Sequence, residues 1–524
     1  MLDLVLHSGN VLTQSTPPMA QAVGVRGGRI ACVGSNDDVR AAAGRAARTI
    51  DLGGRTLVPG FNDAHAHIWK IGHLLTTMLD VRGTGSIEEL VGRVKSFGER
   101  VPADGWLLGR GYNEAALREK RPPTRDDLDR AEPNRPVVLT RTCGHIAVLN
   151  SLALERAGIG AATAAPAGGV VDRDERGEPT GILHETAIGL VKCVIPPPTA
   201  GDYEAMIVAA LTHQVSLGIT SSSDCGVSPA LLHVYRALDA KGGLAARMNV
   251  MPFRRLDESP DPVPLPEQFV SDTLRVDTVK FLADGGLSGA TAALSVSYRH
   301  ADTKGLLRFD SDELCALSEE AHRGGWRIAT HAIGDVAIDQ VLDVYERLGP
   351  HPRGLAHRIE HFGLPDATQL ARAANLRVIA APQAIFIHSL GRNFRRYLPD
   401  SLLPRTYPIR AMLDAGVRVA LSSDAPVVEN DNPLAGMMAA VNRRDDEGCA
   451  IAPDQAITAS EALYAYTMGG AIASGDEANR GSIEAGKWAD FAVLSRDPLS
   501  ESPDALAGVT VDMTFVAGQR VFER

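Results

Sequence analysis

Aromatic residues are scarce in this chain, basic residues are outnumbered, cysteines are few, and no apolar run is long. Phe, Trp and Tyr make up 5% of the 524 residues, yet 44% apolar and 22% charged residues are ordinary for a globular protein, so disorder is excluded. Lys and Arg total 53 against 64 Asp and Glu, a formal net charge of -11 at pH 7, and the basic residues are dispersed. Phosphate binding needs clustered Lys and Arg, so neither nucleic acid nor an anionic membrane is expected as a partner. Cys32, Cys143, Cys193, Cys225, Cys315 and Cys449 form no C-x-x-C pair and follow no regular spacing. That excludes a disulfide framework and reads as reduced thiols of the cytosol. No stretch approaches transmembrane length. The start, Met1-Leu2-Asp3-Leu4-Val5-Leu6-His7, alternates like a strand and lacks the basic leader of a signal peptide. A cytoplasmic location is expected.

What is present begins with Phe61-Asn62-Asp63-Ala64-His65-Ala66-His67-Ile68, which follows the strand-like run Thr56-Leu57-Val58-Pro59-Gly60. Side chains alternate across a strand, so His65 and His67 share a face and offer two nitrogens to one cation. A metal site usually needs at least three protein ligands, so the pair alone does not complete one.

The length exceeds what one core usually serves and predicts a large domain with smaller ones. Short alternating runs at 3–12, 22–33 and 48–52, with the turn Gly27-Gly28, have the texture of hairpins, and the same texture returns at 486–494 and 509–521. Both termini are therefore expected to build one small β-sandwich from residues 1–57 plus 475–524. Residues 84–198 mix helical stretches at 86–99 and 125–132 with Gly/Pro-rich loops and read as an inserted α+β subdomain that covers the active face. From Tyr203 onward strands and amphipathic helices alternate. Strand candidates lie at 218–223, 247–253, 276–283, 327–331, 355–361, 376–383 and 417–423. With the strand before His65 they make eight, the count of a TIM-like (β/α)8 barrel, here 58–83 plus 199–474, whose chemistry sits at the C-terminal strand ends.

The polar residues at those ends converge. His65 and His67 follow the first strand, Lys280 lies within the fourth with Asp284 after it, the fifth ends in His331, the sixth in His361 and the eighth in Asp424. A single histidine at a strand end is more often a loop residue bonded to backbone; together they point to a metal centre. Lys280 needs its own explanation, because an ammonium repels a cation. Its neighbours Val279, Phe281 and Leu282 are apolar, and desolvation disfavours the charged amine. A neutral amine reacts with carbon dioxide to give a carbamate, an anion able to bridge two cations; without that step Lys280 would make a salt bridge. Asp424, in Leu421-Ser422-Ser423-Asp424-Ala425-Pro426, can bind metal and take a proton from water, or merely cap the next segment.

These motifs, with Val279-Lys280-Phe281-Leu282-Ala283-Asp284-Gly285, Thr330-His331-Ala332-Ile333-Gly334-Asp335 and His357-Arg358-Ile359-Glu360-His361, resemble the amidohydrolase superfamily. Within it the chain is similar to the YtcJ-like branch that includes N-substituted formamide deformylases. The resemblance extends to Gly109-Arg110-Gly111-Tyr112-Asn113-Glu114, Gly144-His145 and 481–490. It implies that His65, His67 and Asp424 hold one ion, that His331 and His361 hold another, and that carboxylated Lys280 bridges them. Asp424 is the only acid in that set, so a bridging anion would offset the repulsion between two cations. One or two divalent ions per chain are expected, zinc first given the nitrogen-rich set. Two departures stand out: Gly286-Leu287-Ser288-Gly289-Ala290 follows Asp284-Gly285 where relatives commonly carry Ser-Leu-Gly-Ser-Arg, and Ser223 stands where His is expected.

The implied reaction is hydrolysis of a C-N amide-type bond of a small molecule: an amide, formamide or N-acyl amine. Activated water attacks the carbonyl, Asp424 carries the proton to the leaving amine, and His145 is the candidate donor to the oxyanion, against a plain backbone-bonded loop histidine. Arg110 and Glu114 are expected in structural ion pairs. A deaminase would use one ion and no carbamate, which Lys280 argues against. Hydrolysis of a cyclic imide, lactone or ester would use the same residues. A non-catalytic barrel-shaped interaction protein would have lost ligands, and none is missing. The assembly state is open, a homodimer being one state allowed.

Overall fold

The computed structural model describes all residues except 45–46, 115, 142–143, 145, 167, 256–260, 288 and 300–301. The chain forms two compact units, one of Met1–Ile68 with Ala210–Arg524 and one of Trp69–Ala209. Among the described residues no helix is long and apolar enough to cross a membrane.

The larger unit is built on strands β1 (Phe61–Ala66), β2 (Ile219–Val227), β3 (Arg247–Pro252), β4 (Thr278–Leu282), β5 (Arg327–Ala332), β6 (Arg358–His361), β7 (Ile379–Ala381) and β8 (Arg418–Val419). Two sheets contain them: β1, β2 and β3 run parallel beside Leu274–Val276, and β4 to β8 form a second, wholly parallel sheet. These strands are buried almost throughout, and they read as near-continuous apolar runs because parallel strands are covered on both faces. The chain itself links the sheets, since Leu274–Val276 pairs with β3 and, one residue on, β4 pairs with β5. The Arg254 N–H donates to the Lys280 carbonyl at 3.0 Å across the same join. On the far side, Asp424 N–H donates to the His65 carbonyl at 2.8 Å.

Local chemistry sets the helices between strands. Asp310 accepts the Asp312 N–H at 2.9 Å to start Ser311–Arg323, and Asp366 and Gln369 cap each other's backbone at 2.9 and 2.8 Å to start Ala367–Asn375.

The expected first strand divides in two. Thr56–Pro59 pairs antiparallel with Phe491–Leu494 in a six-stranded sheet, and β1 begins only after Gly60. Glycine is required at the handover, because an added Cβ would lie 2.1 Å from Thr220 Oγ1. A second, four-stranded sheet comes from residues 4–51. Leu6, Val23 and Leu57 from the N-terminal side and Phe491, Val493 and Phe515 from the C-terminal side share one buried apolar cluster.

In the smaller unit, six strands from Met78 to Glu185 form a mixed sheet, with helices Ile87–Gly98 and Arg125–Ala131 where the sequence placed them. Ser86 starts the first helix by accepting the Glu89 N–H at 3.2 Å. Glu114 pairs with Arg141, Nε to Oε2 at 2.8 Å, a partner the sequence did not indicate.

Phe491 is fully buried between contributions from both termini. Phe491→Ala should lower unfolding stability by about 3–5 kcal/mol, read as a shift in urea midpoint at unchanged slope. A shift under about 1 kcal/mol would show that the C-terminal strands are not integral to that core.

Candidate metal centre

Five of the expected ligands stand at the C-terminal ends of their strands. His65 is the fifth residue of β1 and His67 follows it; His331 is next to last in β5, His361 is last in β6, and Asp424 comes after β8. Lys280 lies in mid-β4, 1% exposed, between Val279 and Phe281 at 1% each. His145 lies outside the described residues.

Asp424 is where the residues meet. Its Oδ1 is 3.4 Å from His65 Nε2 and 3.2 Å from His67 Nε2, and its Oδ2 is 3.9 Å from His361 Nδ1. One ligand atom from each of His65, His67 and Asp424 can be taken so that all lie within 4.8 Å of one another. Ring centroids place His361 4.8 Å from His65 and His331 4.3 Å from His361. The Lys280 Nζ is buried and, among the described residues, has no hydrogen-bond partner.

The surrounding bonds decide which imidazole nitrogens are free. His65 Nδ1–H donates to Glu360 Oε2 at 2.5 Å, which leaves Nε2 facing Asp424. Gln383 spends its amide N–H groups on Ala381 O and Ser422 Oγ at 2.8 and 2.9 Å, so its Oε1 accepts from His361 Nδ1 at 2.7 Å. His361 Nε2 is then the free atom. His331 is reversed: its Nε2–H donates to Gly285 O at 3.1 Å and sits 3.3 Å from Asp284 Oδ1, so Nδ1 carries the lone pair. Hydrogen bonds of this kind fix tautomer and ring orientation at metal sites.

Charge is managed in the same way. Arg358 and Glu360, both fully buried, pair through Nε to Oε1 at 2.7 Å and Nη2 to Oε2 at 3.0 Å. Burial works to raise the Glu360 pKa, but the Arg358 guanidinium, the His65 bond and Lys280 hold it well below the usual carboxylate range. Burial, reinforced by Lys280, lowers the His65 pKa to about 4, and burial lowers His361 well below its ordinary value, so both stay neutral near pH 7. Burial also opposes the charged form of Asp424, yet His65, His67 and His361 hold its pKa down and keep it ionised. For Lys280 burial lowers the ammonium pKa, against the pull of Glu360, Cys225 and Asp424.

Two of these residues are strained. His361 has φ 68° and Asp424 φ 54°, left-handed values that cost a β-carbon-bearing residue roughly 1–2 kcal/mol each. For Asp424 the N–H bond to His65 O and the packing of its loop hold the conformation. Asp63 ties down that loop by accepting Ser423 N–H at 3.0 Å and Ser423 Oγ–H at 2.5 Å, and burial raises its pKa to about 7 against those bonds. Asp284 does the same for the segment after β4, accepting the N–H groups of Ala293, Ile333 and Gly334 at 3.0, 3.1 and 2.8 Å.

Arg358, Glu360, Gln383 and Asp63 have roles that the sequence reading did not assign. A signal existed for the pair: Arg358 and Glu360 stand two apart in a strand between apolar neighbours, hence on one buried face. Ser223, at the position where His was expected, accepts from Asn249 Nδ2 at 3.2 Å and lies 3.5 Å from Arg358 Nη1, among interior polar groups. Ser288 lies outside the described residues.

The donor set fits a divalent cation. Neutral His65 and His361 lie beside an ionised Asp424 that His67 also approaches, and among the described residues the buried Lys280 amine has no hydrogen-bond partner.

The profile of the amidohydrolase family matches residues 48–522. N-substituted formamide deformylase of Arthrobacter pascens is 32% identical over 551 aligned residues, covering 100% of this chain and 99% of that protein. YtcJ of Bacillus subtilis (strain 168) is 30% identical, with 100% of both chains covered. Among solved structures, an uncharacterized metal-dependent hydrolase from Pyrococcus furiosus superposes with a TM-score of 0.79 at 30% identity, over 95% of this chain and 100% of that one.

Gln383→Leu removes the acceptor that orients His361 and should weaken metal retention about 10- to 100-fold, measured as metal per chain after dialysis against graded chelator. Unchanged retention would mean that packing alone holds the ring. Glu360→Gln leaves Arg358 buried without its counter-charge and should destabilise the fold by about 3–5 kcal/mol in denaturant titration; a neutral outcome would show that water reaches the guanidinium.

Proposed function

The chain belongs to the amidohydrolase family, and from the centre it carries we propose that it hydrolyses a C–N amide-type bond of a small molecule: an amide, a formamide or an N-acyl amine. It is a metal-dependent hydrolase acting on carbon–nitrogen bonds other than peptide bonds. The formamide end of the range is supported by the Arthrobacter relative, which is named for N-substituted formamides and aligns along the whole chain.

In this reading β1 to β8 are one (β/α)8 barrel, with its halves joined at β4 and between β1 and the segment after β8. The two terminal sheets around their common core are a β-sandwich, and residues 84–198 are the inserted subdomain. His65, His67 and Asp424 hold one ion, His331 and His361 a second, and Lys280, carboxylated by carbon dioxide, bridges them; zinc suits the nitrogen-rich set. The observation that carries this arrangement is the Lys280 amine, buried, without a hydrogen-bond partner among the described residues and within the field of Asp424 and Glu360. An ammonium there would be unsolvated and would oppose cation binding, whereas a carbamate supplies negative charge among neutral ligands.

A divalent cation bound here supplies Lewis acidity, polarising a carbonyl oxygen and making water a better nucleophile near neutral pH. The remaining work belongs to side chains. Asp424, ionised and 3.2 Å from His67, accepts the proton of the attacking water and delivers it to the leaving nitrogen. His65 and His361 are fixed in one tautomer by Glu360 and Gln383, which turns the free Nε2 of His65 toward Asp424 and leaves the Nε2 of His361 free for the metal. His145 is kept as a candidate donor to the oxyanion.

Metal stoichiometry and turnover should be measured together for two variants, on a panel of formamides, N-acyl arylamines, cyclic imides, lactones and esters. Lys280→Ala should lose metal and turnover and regain part of both with added acetate; full metal and activity would overturn the two-ion centre. Asp424→Asn should keep most metal but lose about 100-fold or more in kcat. Lactones or esters turned over faster than every amide would overturn the C–N assignment.

A further inference from the structure

A cavity of about 250 Å³ lies at the opposite ends of β6 to β8 from the metal centre, lined by Leu355, Asn375, Leu376, Arg377, Val378 and Arg418 among others. Its walls are mainly apolar, and two arginines, exposed Arg377 and half-buried Arg418, line it.

The turn that carries Arg377 is the unusual feature. The chain enters β5 and β8 through one construction: Gly325 N–H donates to His322 O at 2.9 Å and Trp326 N–H to Ala321 O at 3.0 Å, and Gly416 and Val417 repeat the pattern on Leu413 and Met412 at 3.0 and 2.9 Å. The residue before β7 makes the same two bonds, Arg377 to Ala374 at 3.0 Å and Val378 to Ala373 at 2.9 Å. The turn residue has φ 75° at Gly325, 81° at Gly416 and 57° at Arg377. This helix-ending position favours glycine, and an L side chain there is strained. Nothing in the turn needs the arginine, since its backbone bonds are those that glycine makes elsewhere in the fold. What the arginine adds is a guanidinium at the cavity.

Arg418, half-buried, donates from Nη2 to the Arg377 carbonyl, which brings the second guanidinium alongside. Among the described residues neither arginine has an ion-pair partner; the field of Glu477 reaches Arg418 but makes no contact with it. Burial and the neighbouring Arg377 both disfavour the charge on Arg418. The cavity histidines do not compete for a ligand. His357 Nδ1 accepts from Ile328 N–H at 3.1 Å and its Nε2 is 3.1 Å from His322 Nδ1, while His351 accepts from Arg353 N–H and donates to Trp326 O, both at 3.1 Å.

We propose that this cavity is a binding site for a small organic carboxylate held between the guanidinium groups of Arg377 and Arg418. A guanidinium fork matches the two oxygens of a carboxylate, and the apolar walls from Leu355, Leu376 and Val378 take an alkyl tail. The volume falls below that of drug-sized pockets, so the ligand has only a few carbon atoms. The site is separate from catalysis and does not depend on which bond the enzyme cleaves.

Butyrate is a suitable probe of the metal-loaded enzyme, with 1-butanol and inorganic phosphate as controls, by titration calorimetry and thermal shift. Butyrate should bind saturably and raise Tm, and butanol should not. Arg377→Gly keeps the turn and relieves its strain; with Arg418→Gln, it should weaken butyrate binding about tenfold or more while leaving kcat and KM unchanged. Butyrate binding that is undiminished in both variants would place the anion elsewhere and overturn the proposal. So would no saturable binding at millimolar concentration, or phosphate binding as tight as butyrate.

Discussion

The buried pair of Arg358 and Glu360 is the interaction on which the centre depends. Taking two charges out of water costs several kcal/mol per ion, and that is tolerable only if every remaining hydrogen-bonding position is filled. Arg358 has five N–H groups and meets the condition by donating to Ala64 O at 2.6 Å, to Ala473 O at 3.1 Å and, at the longer distance of 3.5 Å, to Ser223 Oγ, besides its two bonds to Glu360. One side chain thereby joins β6 to β1 and to the helix Gly470–Ser474. Glu360 passes the constraint on, because the oxygen that completes its pair also accepts from His65 Nδ1. A structural ion pair and the tautomer of a metal ligand are thus one arrangement.

The rest of the centre is held by bonds of the same type at shorter range. Gln383 turns His361, Asp284 anchors the segment beside His331, and Asp63 fastens Ser423 and so the strained Asp424. Strain at His361 and Asp424 persists because neighbouring backbone and side-chain bonds leave little alternative, as is common where a fold aims side chains at one point. The two ends of the strands also differ in character. At one end His65, His67 and His361 approach a carboxylate; at the other, Arg377 and Arg418 border a cavity that has no carboxylate in its lining among the described residues.

Much of this was legible in order along the chain. Alternation across a strand placed His65 and His67 on one face, and both Nε2 atoms do approach the same Asp424 oxygen, at 3.4 and 3.2 Å. The helical stretches expected at 86–99 and 125–132 correspond to helices Ile87–Gly98 and Arg125–Ala131, which begin after Ser86 and Thr124 with acidic first turns. The strand-like texture at both termini corresponds to two sheets with one shared core. Periodicity and capping are local properties, set by residues within a few positions of one another, so sequence displays them.

Other features depended on register between strands distant in the chain. That Thr56–Pro59 belongs with Phe491–Leu494 and not with β1 follows from antiparallel pairing across more than four hundred residues. The partner of Glu114 is Arg141 because adjacent strands bring them together, not because of any spacing. The amino-acid sequence by itself determined which residue types reach the strand ends and therefore that a metal could be held. Only the tertiary structure decided which nitrogen of each histidine is free, because the bond that fixes each ring comes from a residue elsewhere in the fold: Glu360 for His65, Gln383 for His361 and the Gly285 carbonyl for His331.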